Sequence, residues 1–389
     1  MNTAELENDL ARRKADSLYR SRLTVDSAPG TLLEVNGKRL LSFCSNDYLG
    51  LANHQQLKKA FVDAAQTWGV GSGSAHLVTG HSRIHHELEE RLAEFTGRQR
   101  ALLFSSGYMA NLALINAFLD KNDQLYQDRL NHASLIDAGN LSPAKLRRYQ
   151  HADISSLERM LDDPVEGKKM IVTDGVFSMD GDIAPLDQLA RLSSTNDALL
   201  AVDDAHGFGV LGKHGAGSLE YFHLNTKQVP LLMCTLGKAM GAAGAFIAGD
   251  EVYIETLIQK ARSYIYTTAQ PAAVAAAALA AIELQATESW RRDKVLELVA
   301  YFKKGAGQLG LALPESNTPI QPLITGNAAT AGAWAKALRD RGILVTAIRP
   351  PTVPQNTARL RITFSADHTE QQVDQLLDAL EVIANRENA

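Results

Sequence analysis

The sequence predicts an α/β protein with a large domain built on a mostly parallel sheet and a smaller α/β domain after it. Short apolar segments alternate with helical segments from Ala101 to Ala248, a pattern typical of a parallel sheet with helices on both faces. A second, shorter group of strands and helices runs from Ile320 to Asn385. A chain of 389 residues is also long enough for two or three domains.

Residues 1–45 are predicted to form an N-terminal segment of one helix and one hairpin. Leu6, Leu10 and Leu18 recur at helical spacing and predict a helix over 4–21. Residues 31–35 and 39–43 are separated by an Asn-Gly pair and predict a β-hairpin. We expect the large domain to cover 46–286 and the small C-terminal domain to cover 287–389.

The remaining predicted elements divide between these two domains. Strands of the large domain are predicted at 101–104, 124–126, 146–149, 169–173, 199–202, 231–234 and 245–248. Its clearest helices are predicted at 55–68, 82–96, 109–119 and 271–285, with a glycine- and serine-rich loop at 69–80. The small domain is predicted to contain helices at 289–309, 331–341 and 369–385 and strands at 320–324, 344–346 and 359–365.

Composition excludes several classes of function. The 39 Lys and Arg residues against 44 Asp and Glu residues give a net charge of −5, without the basic excess of a nucleic-acid-binding protein. The most apolar window, residues 271–284, is too short to cross a bilayer. The polar N-terminus lacks a signal-peptide pattern. Because Cys44 and Cys234 are far apart and lack metal-ligand spacing, we expect a reducing, cytoplasmic location.

Lys238 carries the main chemical prediction. It lies between the apolar run 229–233 and the small-residue segment 241–245, and no acidic residue occurs between Glu220 and Asp250. Poor solvation lowers the pKa of a lysine and makes its amine nucleophilic, as in lysines that form Schiff bases. Without support elsewhere in the chain, an ordinary surface lysine would be the simpler interpretation.

Two other segments support a cofactor site. Asp203, Asp204 and His206 follow a predicted strand, at the position where open α/β sheets bind ligands. A carboxylate there can pair with the protonated pyridine nitrogen of pyridoxal 5′-phosphate (PLP). Residues 105–108, Ser-Ser-Gly-Tyr, lie between a predicted strand and a helix, where free N–H groups bind anions, although an ordinary helix cap explains them equally well.

Two further patterns are rejected as functional signals. Residues 207–212 match G-x-G-x-x-G, but loop residues follow instead of a helix, and the acidic residue for a nucleotide ribose is absent. His81, His85 and His86 could bind a metal, but no H-E-x-x-H motif or cysteine lies nearby. We therefore predict packing or surface histidines and no metal site.

Together, Val202-Asp203-Asp204-Ala205-His206-Gly207 and Thr235-Leu236-Gly237-Lys238-Ala239 resemble the PLP-dependent transferases of fold type I. The segments at 45–50, 79–81, 106–111, 177–182 and 349–354 narrow this resemblance to the α-oxoamine synthases. It extends from about the first helix to Ala366. The motifs are highly specific for the family and less specific for the individual member.

Carried over position by position, the resemblance implies a set of cofactor contacts. Lys238 would form the Schiff base with PLP, Asp203 would pair with the ring nitrogen, His206 with the ring oxygen, and His132 would stack on the ring. Further cofactor contacts are implied for Ser106, Gly107, Tyr108, Ser178 and Thr235, and for Thr267 and Thr268, which would reach the phosphate in the partner subunit. Substrate contacts are implied for Arg20 (with Arg22 as the alternative), Asn46, His132, Arg349 and Thr352.

The resemblance also implies a reaction. The members most similar to this chain condense L-alanine with a pimeloyl thioester, release CO₂ and the thiol, and serve biotin biosynthesis as homodimers with active sites at the subunit interface. Coenzyme A and an acyl carrier protein both remain possible carriers. Alternatives are an α-oxoamine synthase that uses glycine or serine, such as 2-amino-3-ketobutyrate ligase, a nicotinamide oxidoreductase, and a non-catalytic PLP-binding regulator or scaffold.

Four positions depart from the family pattern. Asp174 and Asp204 each stand where a glutamate is common, and Cys44 stands where a serine is common. Asn356 replaces a common glycine, and because asparagine tolerates the left-handed backbone conformation, we expect the turn to survive.

Overall fold

The structure is a computed structural model that describes the backbone of residues 2–387 and the side chains of residues 2–385. It divides into two compact units. The first unit contains 2–48, 179–181 and 293–387, and the second contains 49–178 and 182–292. The boundaries at 49 and 293 lie close to those expected at 46 and 287. The N-terminal segment shares a unit with the C-terminal region.

Helices and strands alternate along the described residues, as the sequence pattern predicted. The α-helices are α1 Thr3–Ala15, α2 Gln55–Trp68, α3 Arg83–Phe95, α4 Gly107–Asn116, α5 Ala133–Leu141, α6 Ile154–Leu161, α7 Leu186–Thr195, α8 Ser218–Tyr221, α9 Glu251–Lys260, α10 Arg262–Ile265, α11 Ala272–Thr287, α12 Trp290–Gln308, α13 Ala328–Asp340 and α14 Glu370–Glu387. The strands are β1 Leu32–Val35, β2 Lys38–Ser42, β3 Arg100–Phe104, β4 Gln124–Asp128, β5 Lys145–Tyr149, β6 Lys169–Asp174, β7 Ala198–Asp203, β8 Leu231–Thr235, β9 Ala245–Gly249, β10 Ile320–Gly326, β11 Ile343–Leu344, β12 Thr346–Ile348 and β13 Ala358–Thr363.

The second unit is built on a seven-stranded sheet of order β3-β9-β8-β7-β6-β4-β5. All neighbours are parallel except β9, which is antiparallel to both β3 and β8. The prediction of a mostly parallel sheet is therefore confirmed. Parallel strands align their carboxyl ends at one edge, which positions the residues that follow β4, β6, β7 and β8 near one another.

Apolar residues on these strands and on α4, α5 and α9 form a core cluster of this unit. Leu125 of β4 and Met170 of β6 are fully buried there, as is Leu114 of α4. On another part of the unit, the alanine-rich helix α11 packs against α2 through Ala64, Ala273 and Ala276. Small side chains allow these two helices to approach closely.

The first unit contains two three-stranded sheets, with orders β1-β2-β11 and β10-β13-β12. The predicted hairpin is confirmed, because β1 and β2 pair antiparallel with Leu33 opposite Leu40. The predicted strand at 344–346 is instead two strands. β11 pairs with β2 and β12 pairs with β13, with the buried Val345 between them.

Two other predictions need correction. The first helix ends at Ala15 instead of residue 21, because Ser17 has a φ of 57°, which a right-handed helix does not allow. The predicted loop at 69–80 contains a short π-helix, His76–Gly80. Its chain doubles back so closely that a Cβ on Gly80 would lie 2.1 Å from the carbonyl oxygen of Ser74, and only glycine fits there.

Candidate active site

Four strands of the seven-stranded sheet bring three predicted site residues, together with Asp174, to its carboxyl edge. Asp174 is the last residue of β6 and Asp203 is the last residue of β7. His132 lies beyond the end of β4 as the N-terminal cap of α5, and Lys238 follows β8. Asp174 and Asp203 are paired neighbours in the β6–β7 ladder. The relative position of these two carboxyl groups therefore depends on the register of the sheet.

A cavity of about 210 Å³ opens at this edge. The predicted residues that line it are Gly107, Tyr108, His132, Ser178, Asp203, His206, Thr235 and Lys238. Residues that the sequence analysis did not assign to the site are Asn111, Ser134, Asp174, Val176, Ala205 and Met233. Thus a single cavity of the second unit unites most of the predicted cofactor residues.

Asn111 links the two sides of this cavity. Its Nδ2 donates to Asp203 Oδ2 at 2.7 Å and to Ser134 Oγ at 2.8 Å. Asp203 Oδ1 accepts from the backbone N–H of Ala205 at 3.0 Å. Both oxygens of this buried carboxylate are therefore fixed in direction. Asn111 is the last residue of segment 106–111, which carries part of the family resemblance. Its residue type alone did not indicate that it would link Asp203 to Ser134.

The same network orients His132. The Ser134 hydroxyl lies 2.7 Å from His132 Nδ1, and the Ser134 backbone N–H donates to the same nitrogen at 3.3 Å. Since Nδ1 accepts these bonds, the ring proton of the neutral imidazole is assigned to Nε2. Burial lowers the pKa of His132, outweighing the opposite effect of Asp203, and favours this neutral form.

Two further buried carboxyl groups flank Asp203. Burial, followed by the charge of Asp203, raises the pKa of Asp174 well above its ordinary value. Burial likewise raises the pKa of Asp204 to about 7, although the hydrogen bonds from Ser218 oppose it. Both groups are therefore shifted toward the neutral form.

The shorter side chains at the two departures from the family pattern still find partners. Asp174 Oδ2 accepts from the backbone N–H of His132 at 2.9 Å, so this aspartate holds the backbone of the predicted stacking histidine in place. Asp204 Oδ2 accepts from the backbone N–H of Ser218 at 2.6 Å. Asn356 has a φ of 61°, which is the left-handed conformation expected for it.

Lys238 lies on the tight connection between the antiparallel strands β8 and β9. Thr235 Oγ1 donates to the carbonyl of Gly244 at 3.0 Å, which closes the connection at its base. The Gly241 backbone N–H donates to the carbonyl of Lys238 at 2.8 Å. Gly241 has a φ of 63°, and a Cβ on it would lie 2.5 Å from the carbonyl carbon of Leu51. Two hydrogen bonds and one close steric contact therefore restrain the backbone around Lys238.

The N-terminus of α4 borders the same cavity. Ser106 caps this helix by accepting from the Met109 N–H at 3.3 Å, and Gly107 and Tyr108 form its first turn. The first N–H groups of a ten-residue helix have no partner within it and bind anions such as phosphate. The Tyr108 hydroxyl donates to Asp137 Oδ2.

The donor set of the cavity fits PLP. It combines an amine, a fixed carboxylate, a neutral imidazole and a helix N-terminus, which match the aldehyde, ring nitrogen, ring face and phosphate of that cofactor. A larger cavity of about 990 Å³ in the same unit contains none of the predicted site residues. It therefore does not compete as the cofactor site.

Apart from His132, the predicted substrate residues belong to the first unit and form contacts within it. Arg20 donates to Thr352 Oγ1 at 3.3 Å, and Arg349 donates to the carbonyl oxygens of Ser17 and Tyr19. Asn46 Oδ1 accepts from Arg361 at 3.1 Å. Thr267 and Thr268 are in the second unit and do not line the 210 Å³ cavity. The roles assigned to these six residues remain predictions.

The fold and the cavity together define a PLP-dependent enzyme of fold type I. The family model described as "Aminotransferase class I and II" matches residues 38–380. A serine palmitoyltransferase variant from S. paucimobilis, solved with bound PLP–myriocin, has a TM-score of 0.93 and 27% identity, covering 98% of this chain and 97% of that one.

Two other comparisons narrow the family. The 8-amino-7-oxononanoate synthase of Nitrosococcus oceani is 56% identical over 372 residues, or 96% of this chain and 99% of that protein. The solved structure of the same enzyme from Francisella tularensis has a TM-score of 0.79 and 34% identity, covering 90% of this chain and 99% of that one. The chain belongs to the 8-amino-7-oxononanoate synthase family.

Proposed function

We propose that the protein catalyses the decarboxylative condensation of L-alanine with a pimeloyl thioester. The products are 8-amino-7-oxononanoate, CO₂ and the free thiol, as in biotin biosynthesis. The observation that carries this proposal is the convergence of Lys238, Asp203 and His132 on one cavity in a chain 56% identical to a named synthase.

The reaction forms one carbon–carbon bond and breaks one carbon–sulfur bond and one carbon–carbon bond. The alanine Cα bonds to the acyl carbon, the C–S bond of the thioester breaks, and the bond from Cα to the alanine carboxylate then breaks to release CO₂. Bound PLP supplies an electron sink for the negative charge that develops at Cα. The protein residues hold the reactants and move the protons.

Three side chains of the second unit divide this work. Asp203 would pair with the ring nitrogen of bound PLP and keep that nitrogen protonated, with the direction of its carboxylate set by Asn111 and Ala205. His132 presents a neutral ring face to the cofactor. Lys238 Nζ, once displaced by the substrate amine, removes the Cα proton and later returns one to the product.

The substrate carboxylates would be recognised by arginine. Arg349 suits the alanine carboxylate because its planar guanidinium binds carboxylates through two parallel hydrogen bonds. Its contacts to Ser17 and Tyr19 are to backbone oxygens, and among the described side chains no carboxylate forms an ion pair with its guanidinium. Arg20 and Thr352, which hydrogen-bond to each other, would contact the other substrate.

We also propose a homodimer in which Thr267 and Thr268 reach the cofactor phosphate of the partner subunit. Thr268 is exposed and Thr267 is half-buried, and neither lines the cavity of its own chain. The acyl group would arrive on coenzyme A or an acyl carrier protein, whose thioester chemistry is the same. A cytoplasmic location fits the two free cysteines. Among the described residues, no helix combines the length and apolarity needed to cross a membrane.

The PLP-loaded enzyme should form 8-amino-7-oxononanoate from L-alanine and pimeloyl-CoA, measured by mass spectrometry together with CO₂ release. Lys238→Ala should lower turnover by at least about 1,000-fold, whereas the exposed-lysine control Lys227→Ala should retain wild-type turnover. Persistent activity of Lys238→Ala would contradict the assignment of the lysine. Product formation with glycine or serine but not alanine would keep the family chemistry and replace the proposed substrate.

A further inference from the structure

Three potential metal ligands, His81, His86 and Glu89, form a cluster beside α3. Their ligand atoms all lie within 4.8 Å of one another. His81 precedes the helix, whereas His86 and Glu89 are three positions apart on it and therefore share one helix face. His81 Nε2 is 3.9 Å from Glu89 Oε2. None of the three side chains lines the cofactor cavity.

Glu89 is a buried carboxylate that lacks an ion pair with lysine or arginine. Its side chain is only 12% exposed, and Oε1 accepts from the backbone N–H of Leu103 at 3.0 Å. Among the described side chains, no lysine or arginine nitrogen lies within 4.0 Å of it. A carboxyl group in such a position is paired with a cation, bound to a metal or neutralised by a proton, and a bound metal ion would take the place of that proton on Glu89.

His81 is held by a second histidine. His81 Nδ1 and His76 Nδ1 are 2.9 Å apart, so one ring donates to the other. His76 is buried and stacks on Tyr264, with ring centres 5.1 Å apart and an interplanar angle of 14°. When His81 donates through Nδ1, its Nε2 lone pair is directed toward Glu89. A ligating histidine commonly donates its other N–H in this way.

We propose that His81, His86 and Glu89 bind a divalent transition-metal ion, for which zinc is the best match. Two imidazole nitrogens and one carboxylate oxygen are a typical zinc donor set with a fourth position left open. Calcium and magnesium require oxygen ligands instead. Glu90, whose Oε1 is 3.3 Å from His86 Nε2, or a water would complete the coordination.

The ligand atoms must move closer together to accept the ion. Zinc–ligand bonds of about 2.0–2.1 Å place tetrahedral ligands about 3.3 Å apart, compared with 3.9 Å between His81 and Glu89 and an upper limit of 4.8 Å within the cluster. The side chain of His86 is 51% exposed, so it can change rotamer without disturbing the core. Glu89 remains fixed by its bond to Leu103.

The test uses the full-length, PLP-loaded enzyme after removal of free PLP and of metal by chelation. Equilibrium dialysis against zinc should give one ion per chain, and cobalt(II) substitution should give the intense visible absorption of a tetrahedral site. His86→Ala should weaken zinc binding by at least about 10-fold. His81→Asn should do the same, and circular dichroism should show that both variants fold.

His214→Ala is the matched control, because His214 pairs with a single carboxylate, that of Glu220, at 2.5 Å. Its zinc affinity should equal that of the wild type. Absence of stoichiometric zinc binding, or equal affinity in His86→Ala and the wild type, would overturn the proposal. Weak cobalt absorption typical of six-coordinate surface ions would also overturn it.

Discussion

At the scale of single residues, the direction of the Asp203 carboxylate is the property on which the site depends most. The side-chain amide of Asn111 donates one hydrogen bond to Asp203 and one to Ser134. Removing the amide would leave Asp203 Oδ2 and the Ser134 hydroxyl without the Asn111 donor, while Asp203 Oδ1 keeps its bond from the Ala205 N–H. Asn111 is therefore a positioning residue for both the ring-nitrogen partner and the stacking histidine.

Asn111→Ala should lower kcat by about 10–100-fold, since a hydrogen bond to a charged group contributes about 1.5–3 kcal/mol. The KM for alanine should change little, because the substrate carboxylate is proposed to bind elsewhere. The pH dependence of the PLP absorbance should also change, because the Asp203 carboxylate loses the Asn111 hydrogen bond that orients its Oδ2. Asn116→Ala is the control: it removes an amide of the same helix that donates only to backbone carbonyls. Equal kinetics in the two variants would contradict the positioning role.

His151 supplies a residue-scale test of electrostatics. It lies between two carboxylates, with Nδ1 3.1 Å from Asp128 and Nε2 3.0 Å from Asp182. Burial acts to lower the pKa of His151, but these two hydrogen bonds outweigh it and raise the pKa to about 10. The folded protein therefore retains this proton at a pH where the unfolded chain, with an ordinary histidine pKa near 6.5, has lost it.

The stabilisation from this raised pKa is fully present below about pH 6.5 and decreases as the pH rises toward about 10. His151→Asn should therefore lower the free energy of unfolding by about 2 kcal/mol near pH 6.5 and flatten its decline between pH 7 and 9.5. Thermal melts across that range measure the effect. The exposed His223→Asn should reproduce the wild-type profile, and a parallel profile for His151→Asn would refute the assignment.

At the scale of elements, the connection between β8 and β9 places the reactive lysine by steric restriction. Gly241 has a left-handed backbone and lies against the backbone at Leu51. Gly237, in the same connection, has its nearest contact at 3.7 Å from a hypothetical Cβ and no positive φ. Gly241 and Gly237 therefore provide a test position and a control position for alanine substitution within the same connection.

Gly241→Ala should destabilise the protein by about 1–3 kcal/mol, because it introduces both backbone strain and a clash. The displaced connection should also reduce the fraction of chains that retain PLP after gel filtration. Gly237→Ala should change the melting temperature little. Similar melting temperatures and PLP contents in the two variants would mean that the backbone around Lys238 is less constrained than its geometry indicates.

The helices and strands also show which structural features could be predicted from sequence patterns. Most strands of the large sheet were predictable because they contain short apolar runs of the length of a buried strand, whereas β4 and β5 are largely polar. The split between β11 and β12 was not, because a continuous run from Ile343 to Ile348 does not reveal that Val345 turns the chain from one sheet to another. The π-helix at 76–80 depends on the close return to Ser74, a tertiary contact without a local signal.

The site was predictable to a similar extent. Lys238, Asp203 and His132 occur in motifs with a recognisable chemistry, and the sheet brings them together. The tie of Asp174 to the His132 backbone was not predictable, because a carboxylate–amide contact 42 positions apart depends on the pairing of β4 with β6.

At the scale of the whole molecule, the proposed shared active site can be tested by mixing two inactive variants. Lys238→Ala lacks the reactive amine, and Thr268→Ala lacks the proposed contact to the partner's phosphate. In a mixed dimer one of the two sites would regain both groups. Equal mixing after reversible dissociation should therefore restore about a quarter of wild-type activity, since half the dimers are mixed.

The mixture should gain activity only under conditions that exchange subunits, as monitored by light scattering. A mixture of Lys238→Ala with Asp203→Asn is the control, because both residues line the cavity of one chain and a mixed dimer would contain no complete site. No recovery in the first mixture despite demonstrated exchange would place Thr268 outside the shared site.

The groups that fit the cofactor all come from the second unit, whereas Arg20, Asn46, Arg349 and Thr352 all come from the first. On the proposed assignment of these residues, the cofactor chemistry and the choice of reactants are encoded in different stretches of the chain. Substitutions in one stretch could retune which acids and thioesters are accepted while the other stays unaltered. Such a division lets a lineage acquire new products by gradual divergence, and it gives the protein engineer a region to randomise without erasing catalysis.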